Sequence, residues 1–232
     1  MPPEAPPIRL FSTLAVLALL QDMAPDFERR TGLVLASTFD PTQRLLARLQ
    51  AGESADAVIL TRTAIDALAA DGTLRPGSAI DLARSLVGMA VAKGAPRPDI
   101  ATPEALKRAL LEAPSIAYSR AGASGIFFAA LIGQLGIADA VNAKATVIPA
   151  GFTAELVARG EAALAIQQVS ELMAVRGVDI VGPLPPDLQT AQVFSGGVLA
   201  AAANPAGGAA LLAYLAEACT AALLREAGLE PA

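Results

Sequence analysis

The chain has 232 residues, 54% of them hydrophobic and 17% charged, enough for one large domain or two small ones around a real core. Lys plus Arg number 17 and Asp plus Glu 22, a net charge of −5, so no basic field exists to hold a phosphate backbone and nucleic acid is not an expected partner. With no His, no Trp and 1 Cys, His-centred triads, His or Cys zinc sites and intrachain disulfides are excluded, any acid or base is a carboxylate, Lys, Tyr or that Cys, and neither a metal nor an organic cofactor is expected.

Short apolar runs alternate with helical stretches along the whole chain, the pattern of α/β architecture. Ile8–Phe11 reads as a strand, after which Leu17, Leu20, Ala24 and Phe27 repeat at helical spacing up to Gly32, with Pro25 expected to kink or restart the helix. The apolar run Leu10–Leu20 is interrupted by Ser12 and Thr13, follows a proline-rich start with one acid against one base, and precedes no small-x-small cleavage site. It therefore reads as part of the fold, not as a leader or a membrane span. Leu33–Phe39 is the second strand; Asp40-Pro41, a cap and then a proline at the first helical position, opens a helix over Thr42–Ala51 that Gly52 stops. Ala57–Leu60 reads as a strand, Ala64–Ala70 as a helix, Leu86–Ala92 as a strand, and Thr102-Pro103 caps a helix to about Glu112.

A second cycle follows: strand Ile116–Tyr118, the small-residue loop Ser119–Gly125, helix Ile126–Leu135, strand Thr146–Ile148, helix Thr153–Arg159, and strands Leu164–Ile166 and Val178–Val181. Val193–Ala202 is a last long strand, and from Pro205 an Ala/Leu-rich helix runs nearly to the end, with Cys219 as a small buried hydrophobe within it. The loop-rich stretches Gly94–Pro98 and Pro183–Pro186 flank the middle third. The expected organisation is one lobe from residues 8–85 and 197–232, and an inserted second lobe from residues 86–196 reached by two crossings.

Ligands of open α/β sheets sit at the carboxyl ends of strands, where the following helices present unpaired N–H groups. Four junctions qualify: Phe11-Ser12-Thr13, Phe39-Asp40-Pro41-Thr42, Ser119–Gly125 and Gly151-Phe152-Thr153. Hydroxyls beside backbone N–H groups suit an oxyanion or a carboxylate, although each junction taken alone also fits simple helix capping. Ser119–Gly125 is more specific, because its glycines and serines admit a close backbone approach and Arg120 adds a charge, either on the ligand or in solvent. No Lys follows Gly125 as a P-loop requires, so nucleotide hydrolysis is not supported. Gln167-Gln168-Val169-Ser170-Glu171 ends a strand in polar groups that either line a cleft or cap a short helix through Ser170.

In order, Ser12, Phe39-Asp40-Pro41-Thr42, Ala51-Gly52-Glu53-Ser54-Ala55-Asp56-Ala57-Val58, Ser119–Gly125, Ala158-Arg159-Gly160-Glu161-Ala162 and Val181-Gly182-Pro183-Leu184-Pro185 resemble the molybdate-binding-like substrate-binding proteins of ABC transporters, over about Ile8–Leu215. The resemblance implies a class II periplasmic binding protein fold: two α/β lobes joined by two crossing strands, with a ligand cleft between them. It implies a monomer without catalytic residues or membrane insertion, which holds a small anion, an oxyanion such as molybdate or an organic acid, for an ABC permease. It implies ligand contacts from Ser12, Thr13, Asp40 and Thr42 in the first lobe, and from Ser119, Arg120, Ser124, Gly125, Phe152, Thr153 and Gln168 in the second. Ser12, Thr42, Ser119, Arg120, Ser124 and Thr153 are expected to converge on one ligand.

Two residues depart from the family pattern. Asp40-Pro41 stands where molybdate binders have small hydroxyl residues or glycine, so a carboxylate there would repel an oxyanion, and Arg120 supplies a charge that a neutral-donor site does without. The Gln-Gln-x-Ser-Glu pattern is also similar to aconitate isomerase, on the same scaffold. That similarity implies an alternative, proton movement on a small tricarboxylate with Arg120 holding a carboxylate and Asp40 or Glu171 as base. A third reading is a cytoplasmic small-ligand sensor. The expected location is periplasmic if a leader was removed and cytoplasmic if the chain as given is complete.

Overall fold

A computed structural model describes residues 6–232; the first five residues of the proline-rich start lie outside the described residues. The chain divides into two compact units, one running up to Arg84 and resuming at Gln192–Ala232, the other comprising Ser85–Ala191. The return comes at the start of the last strand and not at residue 197 inside it, so that strand belongs whole to the first unit.

In chain order the first unit holds β1 (Ile8–Ser12), a 3-10 turn at Leu14–Val16, α1 (Leu17–Thr31), β2 (Leu35–Phe39), α2 (Thr42–Gln50), β3 (Ala57–Thr61), α3 (Arg62–Ala70) and β4 (Ile80–Ser85). The second unit holds β5 (Val87–Ala92), α4 (Pro103–Glu112), β6 (Ile116–Ser119), α5 (Ala123–Gln134), α6 (Ala138–Asn142), β7 (Ala145–Ile148), α7 (Thr153–Ala158), β8 (Leu164–Gln168), α8 (Val169–Met173) and β9 (Val178–Pro183). The first unit closes with β10 (Gln192–Val198), α9 (Pro205–Ala218) and α10 (Ala221–Glu226). Among the described residues no helix is long and apolar enough to cross a membrane.

The first unit's sheet has the order β2-β1-β3-β10-β4, with β1 parallel to β2 and β3, and β10 antiparallel to β3. Because side chains alternate across a strand, Leu10, Ala57 and Ile59 pack on one face with Leu19, Phe27, Leu211 and Leu215 of α1 and α9, while Phe11, Val58 and Leu60 pack on the other with Leu45, Ile65 and Leu68 of α2 and α3. Helices on both faces are what make β1 and β3 near-continuous apolar runs. The second unit repeats the plan in the order β7-β6-β8-β5-β9. One face carries Met89, Ile116 and Ile166 against Leu106, Phe128 and Leu131; the other is mostly alanine, Ala90, Ala117 and Ala165, against Ala154, Val157 and Leu172. Small side chains on that face let the short helices α7 and α8 approach closely.

Several local expectations need correction. Pro25 does not interrupt α1, which is continuous over Leu17–Thr31; Pro25 and Gln21 are both exposed, so the carbonyl that proline leaves unpaired faces water. Pro41, not Asp40, is the N-cap of α2, and no side chain caps that helix. Strand β4 was not expected, since Asp81 and Arg84 break the apolar alternation of its sequence. The terminal helix is two helices, because Thr220 stands in the extended region and its hydroxyl accepts the Leu223 N–H at 3.3 Å, restarting the helix. Cys219 therefore caps the end of α9 half-buried, with its thiol pushed up to about 11 by burial.

Candidate functional site

Parallel register brings the carboxyl ends of three strands to one edge in each unit. In the first, Ser12 lies opposite Phe39 of β2 and Ile59 of β3, and the Asp40 N–H donates to the Ser12 carbonyl at 3.2 Å. Ser12 is fully buried and donates weakly to the Thr13 carbonyl, at 3.2 Å; Thr13 donates its N–H to Ile59 at 3.0 Å, while its own hydroxyl is buried without a partner. Thr42 is buried in the first turn of α2, whose leading N–H groups no side chain caps. The structure thus brings Ser12, Thr13, Asp40 and Thr42 to one edge.

Asp40 is not the bare charge that the sequence suggests. Arg44 stands 3.6 Å and Arg48 3.7 Å from its carboxylate oxygens. Arg48 is fixed in turn by two 2.8 Å hydrogen bonds to Glu53 and by stacking 5.2 Å over the Phe11 ring, so two guanidiniums stand among the two carboxylates of Asp40 and Glu53.

In the second unit the edge is formed by Ser119, Ile148 and Gln168, with Val87 at the start of the antiparallel β5 opposite Gln168. Ser119–Gly125 is not all loop, because α5 begins at Ala123 and holds Ser124 and Gly125 in its first turn. The glycines are required by the close approach of Ser119. A Cβ on Gly125 would stand 1.8 Å from the Ser119 carbonyl oxygen, and one on Gly122 would stand 2.6 Å from the Ser119 hydroxyl oxygen and 3.8 Å from that of Ser124. Arg120 uses its backbone N–H to bond Ile148 at 2.8 Å, and its side chain is exposed with no ion-pair partner among the described residues.

Thr153 behaves differently from the expected free donor. Its N–H, at 2.7 Å, and its hydroxyl, at 2.9 Å, both donate to Gln167 Oε1, while Gln167 Nε2 donates to the Gly151 carbonyl at 2.9 Å. Gln167 thereby fixes the start of α7, with Phe152 half-buried at its N-cap, and Thr153 has no donor left for a ligand.

Four buried side-chain oxygens have no hydrogen-bond partner among the described residues: Thr13 Oγ1, Ser119 Oγ, Gln168 Oε1 and Ser170 Oγ. All four follow or end a parallel strand, at the edge where such sheets hold ligands. Ser170, which the sequence assigned either to a cleft lining or to a helix cap, caps nothing: Gln168 is the N-cap of α8, without a side-chain bond, and Ser170 is buried in its first turn. Its neighbour Glu171, 8% exposed, is met by the Gln168 backbone N–H and the Gln167 side-chain amide. Burial outweighs both and raises this carboxyl to about 7. A depression of about 410 Å³ at the opposite end of the second unit's sheet, between Ala92, Ala109 and Leu164, contains none of these atoms.

Comparison with known proteins adds to this geometry. An aconitate isomerase of a Pseudomonas species is 37% identical over 230 residues, 97% of this chain and 87% of that protein. The periplasmic molybdate-binding protein of Azotobacter vinelandii superposes with a TM-score of 0.78 at 16% identity, over 96% of this chain and 98% of that one. A sulfate-binding protein of Mycobacterium tuberculosis superposes at 0.74 with 17% identity, over 98% and 87% of the two chains, so the two-lobed periplasmic binding protein fold is shared. The family model of the bacterial extracellular solute-binding proteins matches residues 8–230, nearly the whole length, and the chain belongs to that family.

Proposed function

We propose that this protein binds a small, multiply charged anion, an oxyanion or an organic acid, through neutral donors at the carboxyl ends of its parallel strands, and delivers it as a monomer in the periplasm to an ABC permease. The observation that carries the reading is the set of buried oxygens without protein partners, Thr13, Ser119, Gln168 and Ser170. A buried hydroxyl left unpaired is costly, and an anion that accepts from it removes the cost on binding. The Gln168 carboxamide serves the same purpose once turned by half a rotation, which presents its NH2 group. Gly122 and Gly125 keep the Ser119 side clear for close approach, and Arg120 is available to grip a carboxylate with two parallel bonds.

The test is a thermal-shift panel of molybdate, tungstate, sulfate, citrate and cis- and trans-aconitate, followed by titration calorimetry on those that stabilise. Binding of at least one, weakened by Ser119→Ala or by Thr13→Ala, supports the assignment of these buried hydroxyls to the ligand. Arg120→Ala then separates the ligand classes, since it abolishes the shift for an organic acid and changes little for a tetrahedral oxyanion. No shift with any member overturns the reading.

A second reading, isomerisation of a small tricarboxylate, is favoured by the sequence identity to an aconitate isomerase together with the buried Glu171, a carboxyl tuned for proton transfer near neutrality. Incubation with cis-aconitate and chromatographic detection of the trans isomer decides it.

A further inference from the structure

We infer that Gln167 is a specificity-determining residue of the second unit: its carboxamide keeps the donors of Thr153 for itself, so that an anion bound beside Ser119 finds its strongest partner in Arg120, and an organic acid is favoured over a tetrahedral oxyanion. The inference rests on the anion-binding reading above and names the class of ligand within it. Continuing the parallel register of β6 and β8 from the Ala117–Ala165 pair sets Ser119 beside Gln167 on the neighbouring strand. Both residues are 2% exposed, and they are used in opposite ways. The Ser119 hydroxyl has no partner among the described residues, whereas Gln167 Oε1 accepts the Thr153 N–H at 2.7 Å and the Thr153 hydroxyl at 2.9 Å. A second acceptor for that hydroxyl, the Ile166 carbonyl at 3.4 Å, is again protein. Gln167 Nε2 donates to the Gly151 carbonyl at 2.9 Å, and the amide also meets the Glu171 carboxyl. A carboxamide offers two lone pairs and two N–H groups, so every position of Gln167 is filled from within the unit. Turning it away to release Thr153 would leave several buried polar groups unpaired at once, so the closure is fixed and is not a gate.

The donors left free are those around Ser119. Its hydroxyl oxygen is set against the first turn of α5, 2.6 Å from where a Cβ would stand on Gly122 and 2.7 Å from one on Gly125, and the Ser124 hydroxyl oxygen lies 3.8 Å from the same point at Gly122. No side chain caps this helix. Arg120 follows Ser119 directly, is held at its backbone by the Ile148 carbonyl at 2.8 Å, and keeps its guanidinium exposed and out of any ion pair among the described residues. A tetrahedral oxyanion held without a counter-charge relies on neutral donors around all of its oxygens, and each donor withheld weakens it. A carboxylate has two oxygens in one plane, which the guanidinium can meet with two parallel bonds while the Ser119 hydroxyl donates to a second acid group of the same molecule. Two neutral donors spent on Gln167 and one free guanidinium therefore act in the same direction, toward an organic acid carrying more than one acid group.

The test is titration calorimetry of the full chain with sulfate, molybdate and trans-aconitate. In the wild type trans-aconitate should bind about tenfold or more tightly than either oxyanion, and Arg120→Ala should abolish that preference. Thr153→Val removes only a hydroxyl that is already spent, so all three affinities should stay within about twofold of the wild type. Gln167→Ala releases both Thr153 donors, so the ratio of oxyanion to trans-aconitate affinity should rise about tenfold or more, and adding Thr153→Val should take back part of that rise. A merely structural Gln167 would lower all three affinities together and leave the ratio unchanged, and that result overturns the inference. So does a wild type that prefers sulfate or molybdate, or a loss of about tenfold in Thr153→Val. Should Gln167→Ala not fold, the wild-type order and Thr153→Val decide. Failure of every anion to bind overturns the anion-binding reading and this inference with it, whereas binding with an unaltered ratio overturns this inference alone.

Discussion

The two units are built on one plan and treat their polar edge residues in opposite ways. In the first, charge meets charge near the surface: Asp40 with Arg44 and Arg48, and Asp81 with Arg62 at 2.8 Å and with the Ser195 hydroxyl at 2.5 Å, and among the described residues only the Thr13 hydroxyl is left buried and unpartnered. In the second, three buried oxygens and a buried carboxyl have little protein to answer them. Exposed ion pairs are screened and contribute little to stability or to specificity. Buried unpaired oxygens are costly until something binds them, so the second unit has more groups whose burial a ligand would repay.

Four changes would break or sharpen this contrast. The largest effect is expected from Gly125→Ala, which sets a methyl group 1.8 Å from the Ser119 carbonyl and forces the start of α5 away. A loss of about 3 kcal/mol or more, seen as a lowered melting temperature, is expected, and an unchanged melt would mean that Ser119 does not hold this position. Next is the pH dependence of stability through Glu171. Its folded pKa lies above the unfolded value, so the folded state holds a proton that the unfolded state releases; stability falls as pH rises from about 4.5 to about 7, by at most about 3 kcal/mol. Glu171→Gln removes this slope, so its melting temperature relative to the wild type should be higher at pH 8 than at pH 5, and parallel profiles would refute the assignment.

Ser119→Ala is expected to cost about 2 kcal/mol of anion affinity, or about thirtyfold, while leaving the ligand-free melting temperature unchanged or higher. That combination marks a hydroxyl kept for a ligand; a lowered melt with normal affinity would mark a structural one. The smallest effect belongs to the first unit. Asp40→Asn should raise anion affinity no more than about threefold and shift stability by less than about 0.5 kcal/mol, because the Asp40 pairs are long and partly exposed. A tenfold change would show that the Asp40 carboxylate stands close to the bound anion.

Much of this was legible along the chain. The parallel β–α cycles around Ser12, Asp40-Thr42 and Ser119–Gly125 stand out, because a strand buried on both faces must be an unbroken apolar run and the helix after it must start in polar or small residues. β4 was not legible, since a strand at the sheet edge tolerates Asp81 and Arg84, and neither was the break at Cys219-Thr220, where one cap in an alanine-rich run is a weak signal. At the candidate site, Gln168 and Ser119 were identified by their place after a strand, whereas Ser170 fitted a cap as well as a cleft lining and Thr153 was expected to be a donor.

The sequence by itself determined the α/β class, the sheet edges that present N–H groups and hydroxyls, and the absence of imidazole chemistry, because periodicity, turn residues and composition are local properties. Only the tertiary structure decided which of those polar groups are free. Gln167 takes up both donors of Thr153 from 14 residues away, and Arg44 and Arg48 stand beside Asp40. Ser119, Ser170 and Gln168 are left buried without partners, and whether a hydroxyl is satisfied depends on what folding brings within 3.5 Å of it, which no stretch of sequence records.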